Sequence, residues 1–176
     1  MKKVGWLLAC SWVLLAACVG SVETAPASPL KVDLQSVVDI GRVQPVNGIT
    51  SAGQPDQAAL KVFAVSGYAA VIDMRTAGEE RGFDEQAVVE ELGMDYLSFP
   101  ISSDGISFEN AAALDELLGG YDQPVLVHCA SGNRVGALLA LRASLKGADD
   151  ETALEVGKQG GLTGLEPKVR EALDQN

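Results

Sequence analysis

Val125-Leu126-Val127-His128-Cys129-Ala130-Ser131-Gly132-Asn133-Arg134-Val135-Gly136 decides the fold, because it joins a strand, a turn and a helix without a break. Val125 to His128 follows Pro124 as a short apolar run of strand type. Val135 to Leu145 is apolar nearly all round, the pattern of a central, buried helix. A strand that feeds a helix through so short a loop belongs to a parallel sheet, where ligand sites lie beyond the carboxyl ends of the strands. Cys129 stands at such an end. Backbone N–H groups of Ala130, Ser131, Gly132, Asn133 and Arg134 can converge on one point, Gly132 permits the turn, and the helix aims its positive end there. The same dipoles favour an anionic sulfur on Cys129, and Arg134 can make a two-pronged contact with an oxyanion. Against this stands a purely structural reading, in which Cys129 is a small core residue at a strand end and His128, the single histidine, is a hydrogen-bonded core residue.

Outward from this stretch, strand-like and helix-like runs alternate, with Gly, Pro or Asp at almost every boundary. Val38 to Ser51, with Val43 and Val46 around Pro45, suits an edge strand pair. Asp56 caps a helix expected to run to about Ser66, with Leu60, Phe63 and Ala64 on one face and Gly67 just past its end. Ala69 to Met74 reads as a buried strand, Arg75 to Phe83 as a charged loop, Asp84 to Leu92 as a helix, and Tyr96 to Phe99 as a strand. After the loop Pro100 to Ser107, Phe108 to Leu118 is helical. Two shorter helices close the chain, at Asp150 to Lys158 and Pro167 to Asp174, the second with Thr163 and Glu166 placed for a capping box. The expected fold class is therefore α/β, a mainly parallel central sheet flanked by helices.

Composition limits function. The chain has 176 residues, a net charge of −11 and three cysteines, which leaves neither a basic surface to neutralise nucleic-acid phosphates nor the ligands for a thiolate metal cluster. Met1-Lys2-Lys3, the apolar run Val4 to Leu15, and Leu15-Ala16-Ala17-Cys18 follow the order of an export signal. The tetrad resembles a lipobox, so residues 1–17 are expected to be a lipoprotein signal peptide and Cys18 a lipid-bearing N-terminus. The apolar run is short of the roughly 20 residues a membrane span needs, and cleavage before Cys10 would leave it shorter still. Val19 after Cys18 resembles the sorting pattern for the outer membrane, which implies a bacterial cell-envelope protein held by lipid at the periplasmic face. Residues 18–34 read as lipidated cysteine and flexible tether, and residues 35–176 as the folded domain. Cys129 is then the one thiol left, with no disulfide partner in an oxidising compartment.

His128-Cys129-Ala130-Ser131-Gly132-Asn133-Arg134 resembles the signature loop of cysteine-dependent protein tyrosine and dual-specificity phosphatases. Together with Ile49-Thr50-Ser51-Ala52-Gly53-Gln54-Pro55, Val71-Ile72-Asp73-Met74-Arg75 and Phe99-Pro100-Ile101, it is similar to the bacterial beta-lactamase-hydrolase-like, phosphatase-like domain family, over roughly Gln35 to Asp174. The resemblance implies a cysteine-dependent phosphatase-like fold, covalent catalysis by Cys129, and oxyanion binding by Arg134 with the amides of Ala130 to Asn133. The sequence departs from the phosphatase pattern in two places. Four residues separate Cys129 from Arg134 where tyrosine phosphatases have five, a length that resembles rhodanese-type sulfurtransferases. Val135 stands where phosphatases usually carry a hydroxyl.

Three functions follow. The first is phosphomonoester hydrolysis through a phospho-Cys129 intermediate. The second is sulfur transfer through a Cys129 persulfide, and the third a non-catalytic anion-binding or interaction domain. Phosphoester cleavage with a poor leaving group needs a proton donor, and Asp104, 25 residues before Cys129, is the residue expected to supply it. A solvated turn position explains Asp104 as well, and a loop salt bridge accounts for Arg75 with Glu79 or Glu80. The expected partners are a small anionic or phosphorylated substrate, or a sulfane-sulfur donor, and a membrane through the lipid. No cofactor, metal or nucleic acid is implied.

Overall fold

A computed structural model describes residues 43–46 and 49–175. The expected signal peptide, Cys18, the tether and the start of the first extended region lie outside the described residues.

Two short strands open the fold, β1 (Val43–Val46) and β2 (Ile49–Ala52), paired antiparallel. Helix α1 (Gln57–Val65) follows, and its cap is the expected one: Asp56 accepts the Ala59 N–H at 2.7 Å. Strand β3 (Ala70–Asp73), helix α2 (Glu85–Glu91, capped by Asp84) and strand β4 (Asp95–Ser98) come next. A single 3₁₀ turn, Ser103–Gly105, precedes α3 (Phe108–Gly119), then β5 (Val125–His128), α4 (Asn133–Leu145), α5 (Asp150–Gln159) and α6 (Glu166–Asp174). Strand order in the five-stranded sheet is β1-β2-β5-β3-β4, parallel except for the β1–β2 edge. The mainly parallel sheet flanked by helices is thus the observed architecture.

Strand alternation sorts the core into two layers. Ile72, Val125 and Val127 face one side with Cys129, against α3, α4, α5 and α6; Val71 and Leu126 face the other, against α1 and α2. Helix α4 is buried from Arg134 to Leu141, as its apolar sequence requires. A Cβ on Gly136 would collide with the backbone of Gly157 and Leu162, so this position must be glycine for α5 to lie against α4. That close approach fixes the helix that begins at the signature loop.

One local expectation is corrected. Thr163 and Glu166 form no capping box, because the cap residue of α6 is Leu165, which makes no side-chain cap bond, and Glu166 N–H bonds the Thr163 carbonyl. The start of α6 is held from across the fold: Asn133 Oδ1 accepts the N–H groups of Thr163, at 2.8 Å, and Leu165, at 3.4 Å.

Candidate active site

The central strand β5 delivers the site. His128 pairs in register with Asp73 of β3 and Ala52 of β2, and at the next residue the chain leaves the sheet. Cys129 N–H bonds the Ala52 carbonyl at 3.4 Å, and Gln54 N–H bonds the Ala130 carbonyl at 3.3 Å, so the loop is pinned to the segment after β2. Gly132 adopts φ +85, a left-handed conformation that favours glycine, and its N–H points at Cys129 Sγ from 3.1 Å. Helix α4 starts at Asn133, two residues earlier than the sequence suggested, so Arg134 lies in its first turn. Cys129 is fully buried, while Ala130 and Ser131 are exposed.

Arg134 is held on one end and open on the other. Its NH1 and NH2 groups donate to Glu79 Oε1 and Oε2 at 2.6 and 2.5 Å. NH1 also lies 2.9 Å from the Ile101 carbonyl and 3.4 Å from that of Met74. Among the described residues no oxygen takes the remaining side of the guanidinium, formed by Nε–H and the second N–H of NH2, which is the side-on fork that suits an oxyanion, and the guanidinium has the Cys129 sulfur for a neighbour. The hydrogen bonds from Arg134 pull the Glu79 carboxyl down to about 2 against the opposing pull of burial, and Thr76 adds to them. Glu79 in turn raises Arg134 further.

Glu79 is the residue that sequence reasoning undervalued. It does make a loop salt bridge, but with the arginine of the signature loop, 55 residues away, and not with Arg75. Charge pattern alone carried no sign of the partner. Glu80 makes no contribution here.

A groove of about 410 Å³ opens over the loop; Thr76, Glu79, Ser102, Ser103, Asn133 and Leu165 contribute walls, with Ser131 and Arg134. Glu79 is the groove's single carboxyl, and it is ionised. Asp104 stands in the 3₁₀ turn beside Ser103, with its side chain 96% exposed and Oδ1 2.8 Å from Lys168 Nζ. The Lys168 hydrogen bond and charge hold its carboxyl below the usual range. The structure thus places the expected acid outside the groove lining, in an exposed ion pair with Lys168. The Asn133 side chain is likewise committed to the start of α6, which leaves its backbone to serve the loop.

On the opposite face of the sheet, directly behind the loop, lies a sealed charge cluster. Asp73 accepts from Arg75 N and Nε, both at 2.9 Å, from Arg75 NH2 at 3.1 Å and from the Tyr96 hydroxyl at 2.8 Å. Arg75 also pairs with Glu85. His128 Nε2 lies 2.7 Å from Glu85 Oε1 without the alignment of a hydrogen bond. Asp73, Arg75, Glu85 and His128 are all essentially inaccessible. Burial pushes the Asp73 carboxyl up, but Arg75, His128 and Tyr96 together hold it well below the carboxylate range. The ligand atoms of Asp73, Glu85 and His128 lie within 4.8 Å of one another, a spacing a metal ion could use. The Arg75 guanidinium already supplies the cation to both carboxylates, so the trio does not fit a metal as well. His128 is accordingly a core residue of the cluster.

Three comparisons bear on this arrangement. The family model described as beta-lactamase hydrolase-like protein, phosphatase-like domain, matches residues 44–146. A beta-lactamase hydrolase-like protein of Agrobacterium fabrum is 30% identical over 119 residues, 65% of this chain and 28% of that protein, so the chain spans less than a third of the relative's length. Among solved structures, a phosphatase candidate from Neisseria meningitidis superposes with a TM-score of 0.63 at 20% identity, covering 73% of this chain and 93% of that one. P. aeruginosa TpbA in complex with phosphotyrosine superposes at 0.54 and 18% identity, covering 77% and 97%. At such identities the superpositions show the phosphatase-like fold. The matched span runs from β1 to the end of α4 and contains Cys129, Arg134 and Glu79. With its signature loop between a central parallel strand and a buried helix, this chain belongs to the beta-lactamase hydrolase-like, phosphatase-like domain family, with the architecture of a cysteine-dependent phosphatase-type hydrolase.

Proposed function

We propose that the protein hydrolyses phosphomonoesters through a covalent phospho-Cys129 intermediate, with aryl phosphates as the favoured class. The observation that carries this reading is the open fork of Arg134 beside a buried sulfur that faces the Gly132 N–H. Cys129 Sγ attacks phosphorus, and the phosphorus–oxygen bond to the leaving group breaks as the sulfur–phosphorus bond forms. Arg134 and the loop amides take the equatorial oxygens. Water then attacks the phosphocysteine, which releases phosphate and returns the sulfur as thiolate. The groove offers no carboxyl able to give a proton, so a leaving group stable as its own anion, such as a phenolate, is the one that departs readily. TpbA in its phosphotyrosine complex binds a ligand of that class. A role for Asp104 as acid would require its release from Lys168.

A second reading has support of its own. The loop of four residues between Cys129 and Arg134, the apolar Val135 and the groove without a proton donor all suit sulfur transfer through a Cys129 persulfide. One experiment separates the two. The chain is incubated with p-nitrophenyl phosphate or with thiosulfate, beside Cys129→Ser, followed by release of nitrophenolate and by intact mass. Hydrolysis that needs Cys129, with no added sulfur, supports the first reading. One added sulfur, removable by reductant and absent in Cys129→Ser, supports the second; over-oxidised cysteine would not reverse.

The proposal extends to place. Cys18 carries the lipid and holds the domain to the periplasmic face of the outer membrane. Fractionation of cells bearing the wild type and Cys18→Ala tests this, since the variant should leave the membrane fraction.

A further inference from the structure

The loop between β3 and α2 has no helix or strand of its own in the stretch that presents Glu79, so its shape comes from discrete hydrogen bonds. Four of them meet on one side chain. Arg81 donates through Nε to Asp73 Oδ2 at 3.1 Å, through NH2 to the Arg75 carbonyl at 3.1 Å, and through NH1 to the Thr76 and Glu79 carbonyls, each at 3.3 Å. The chain from Arg75 to Glu79 is thereby wrapped round a guanidinium. Gln54 Nε2 donates to the Arg81 carbonyl at 2.6 Å, which ties the wrapped loop to the segment that also pins Ala130. Inside the loop, Thr76 N and Oγ hold Glu79 Oε1 at 2.8 and 3.1 Å, so the carboxylate that reaches Arg134 is oriented from behind.

Two features separate Arg81 from an ordinary core residue. Its side chain is 26% exposed, so it packs at the surface of the cluster. Asp73 keeps Arg75 and Tyr96 as partners whether or not Arg81 is present. What depends on Arg81 is the path of the Glu79 loop. A lysine at this position can keep the charge near Asp73, but its compact ammonium lacks the planar spread of donors that bonds three carbonyls of one loop.

We propose that Arg81 is a positioning residue for oxyanion binding: by gathering the Arg75, Thr76 and Glu79 carbonyls it sets Glu79 against one end of Arg134 and leaves the other end aimed at the ligand. This rests on the reading that Arg134 binds the oxyanion. The arrangement links all the sequence motifs that flank the signature loop, since Gln54, Asp73 and Ile101 each contribute an atom to the path that ends on Arg134.

The test is a double-mutant cycle read by tungstate, a plain oxyanion, titrated into the full chain in detergent. The proteins are wild type, Arg81→Lys, Glu79→Gln and the double variant, with Arg134→Lys as reference and urea unfolding as a check on folding. Arg81→Lys is expected to weaken tungstate binding by about three- to tenfold, Glu79→Gln by a similar factor, and the double variant no more than the worse single, because both act through one path. Arg81→Lys binding as the wild type does, or losses that multiply in the double variant, overturns the proposal while Arg134→Lys still loses affinity. A wild type indifferent to tungstate, or an Arg134→Lys variant that binds as well, removes the underlying reading and the proposal together. A merely structural Arg81 would lower the urea midpoint without this coupling.

Discussion

Two arginines lie on opposite faces of the sheet, each paired with carboxylates, and they are built for opposite purposes. Arg75 is sealed: Asp73 and Glu85 take its Nε and NH2, His128 lies beside Glu85, and none of the four reaches water. Arg134 is sealed on one side alone, where Glu79, Met74 and Ile101 hold it, and no oxygen takes the side-on fork among the described residues. A guanidinium shut away from water, whose NH1 finds no partner, can meet no ligand and is structure. One fixed at a single end is a tool, because its plane is set before a ligand arrives and little freedom is lost on binding. Both arginines are reached from the single loop after β3, which leaves the sheet at Asp73 and presents Glu79 six residues later.

The contrast breaks first at Arg75. Arg75→Ala strands two buried carboxylates, and the expected cost is about 3–5 kcal/mol of stability in urea unfolding. A loss under about 1 kcal/mol would mean that the cluster is wetter than it stands here. Arg134→Ala should do the reverse, with a fall in kcat/KM for p-nitrophenyl phosphate of about 100-fold and a smaller change in the urea midpoint. Equal losses of stability in the two variants would erase the distinction.

Acid sharpens it further. Glu79 sits at about 2 in the folded protein against an ordinary 4.5, so on acidification the unfolded chain takes up the proton first. The stabilisation from this ion pair is complete above pH 4.5 and disappears as pH falls toward 2. Urea unfolding of wild type and Glu79→Gln should therefore show a gap that is constant above pH 5 and closes below it. Asp73 is shifted in the same direction, so acid should weaken the sealed cluster as well. The smallest effect is expected at Asp104. Its carboxylate is exposed and held by Lys168, and Asp104→Asn should change turnover by less than about threefold, since removal of an exposed ion pair costs little. A drop of a hundredfold would restore Asp104 as the acid.

Much of this was legible along the chain. The strands and helices declared themselves through periodicity and caps, as at Asp56 and Asp84, because each of those signals is local. Cys129, Gly132 and Arg134 were legible for the same reason, since one loop carries them all. The contacts that complete the site are not local. Glu79 meets Arg134 over 55 residues, and His128 meets Glu85 across a strand and a helix, so no spacing rule could join them. Asn133 shows the limit from the other side: read as a cradle residue, it spends its side chain on the N–H groups of Thr163 and Leu165 ahead of α6. Asp104 has suitable chemistry and a suitable loop, but Lys168 of α6 pairs with it, and no local signal says that these two segments meet.

The most direct test of the central claim, that Cys129 is the nucleophile of a covalent reaction, is the intact mass of the chain after rapid acid quench from p-nitrophenyl phosphate. A single phosphoryl adduct that maps to Cys129, forms in the first turnover and is absent in Cys129→Ser is the expected result. Release of nitrophenolate by Cys129→Ser at the wild-type rate, or turnover with no phosphoryl group ever trapped on the wild type, would contradict it.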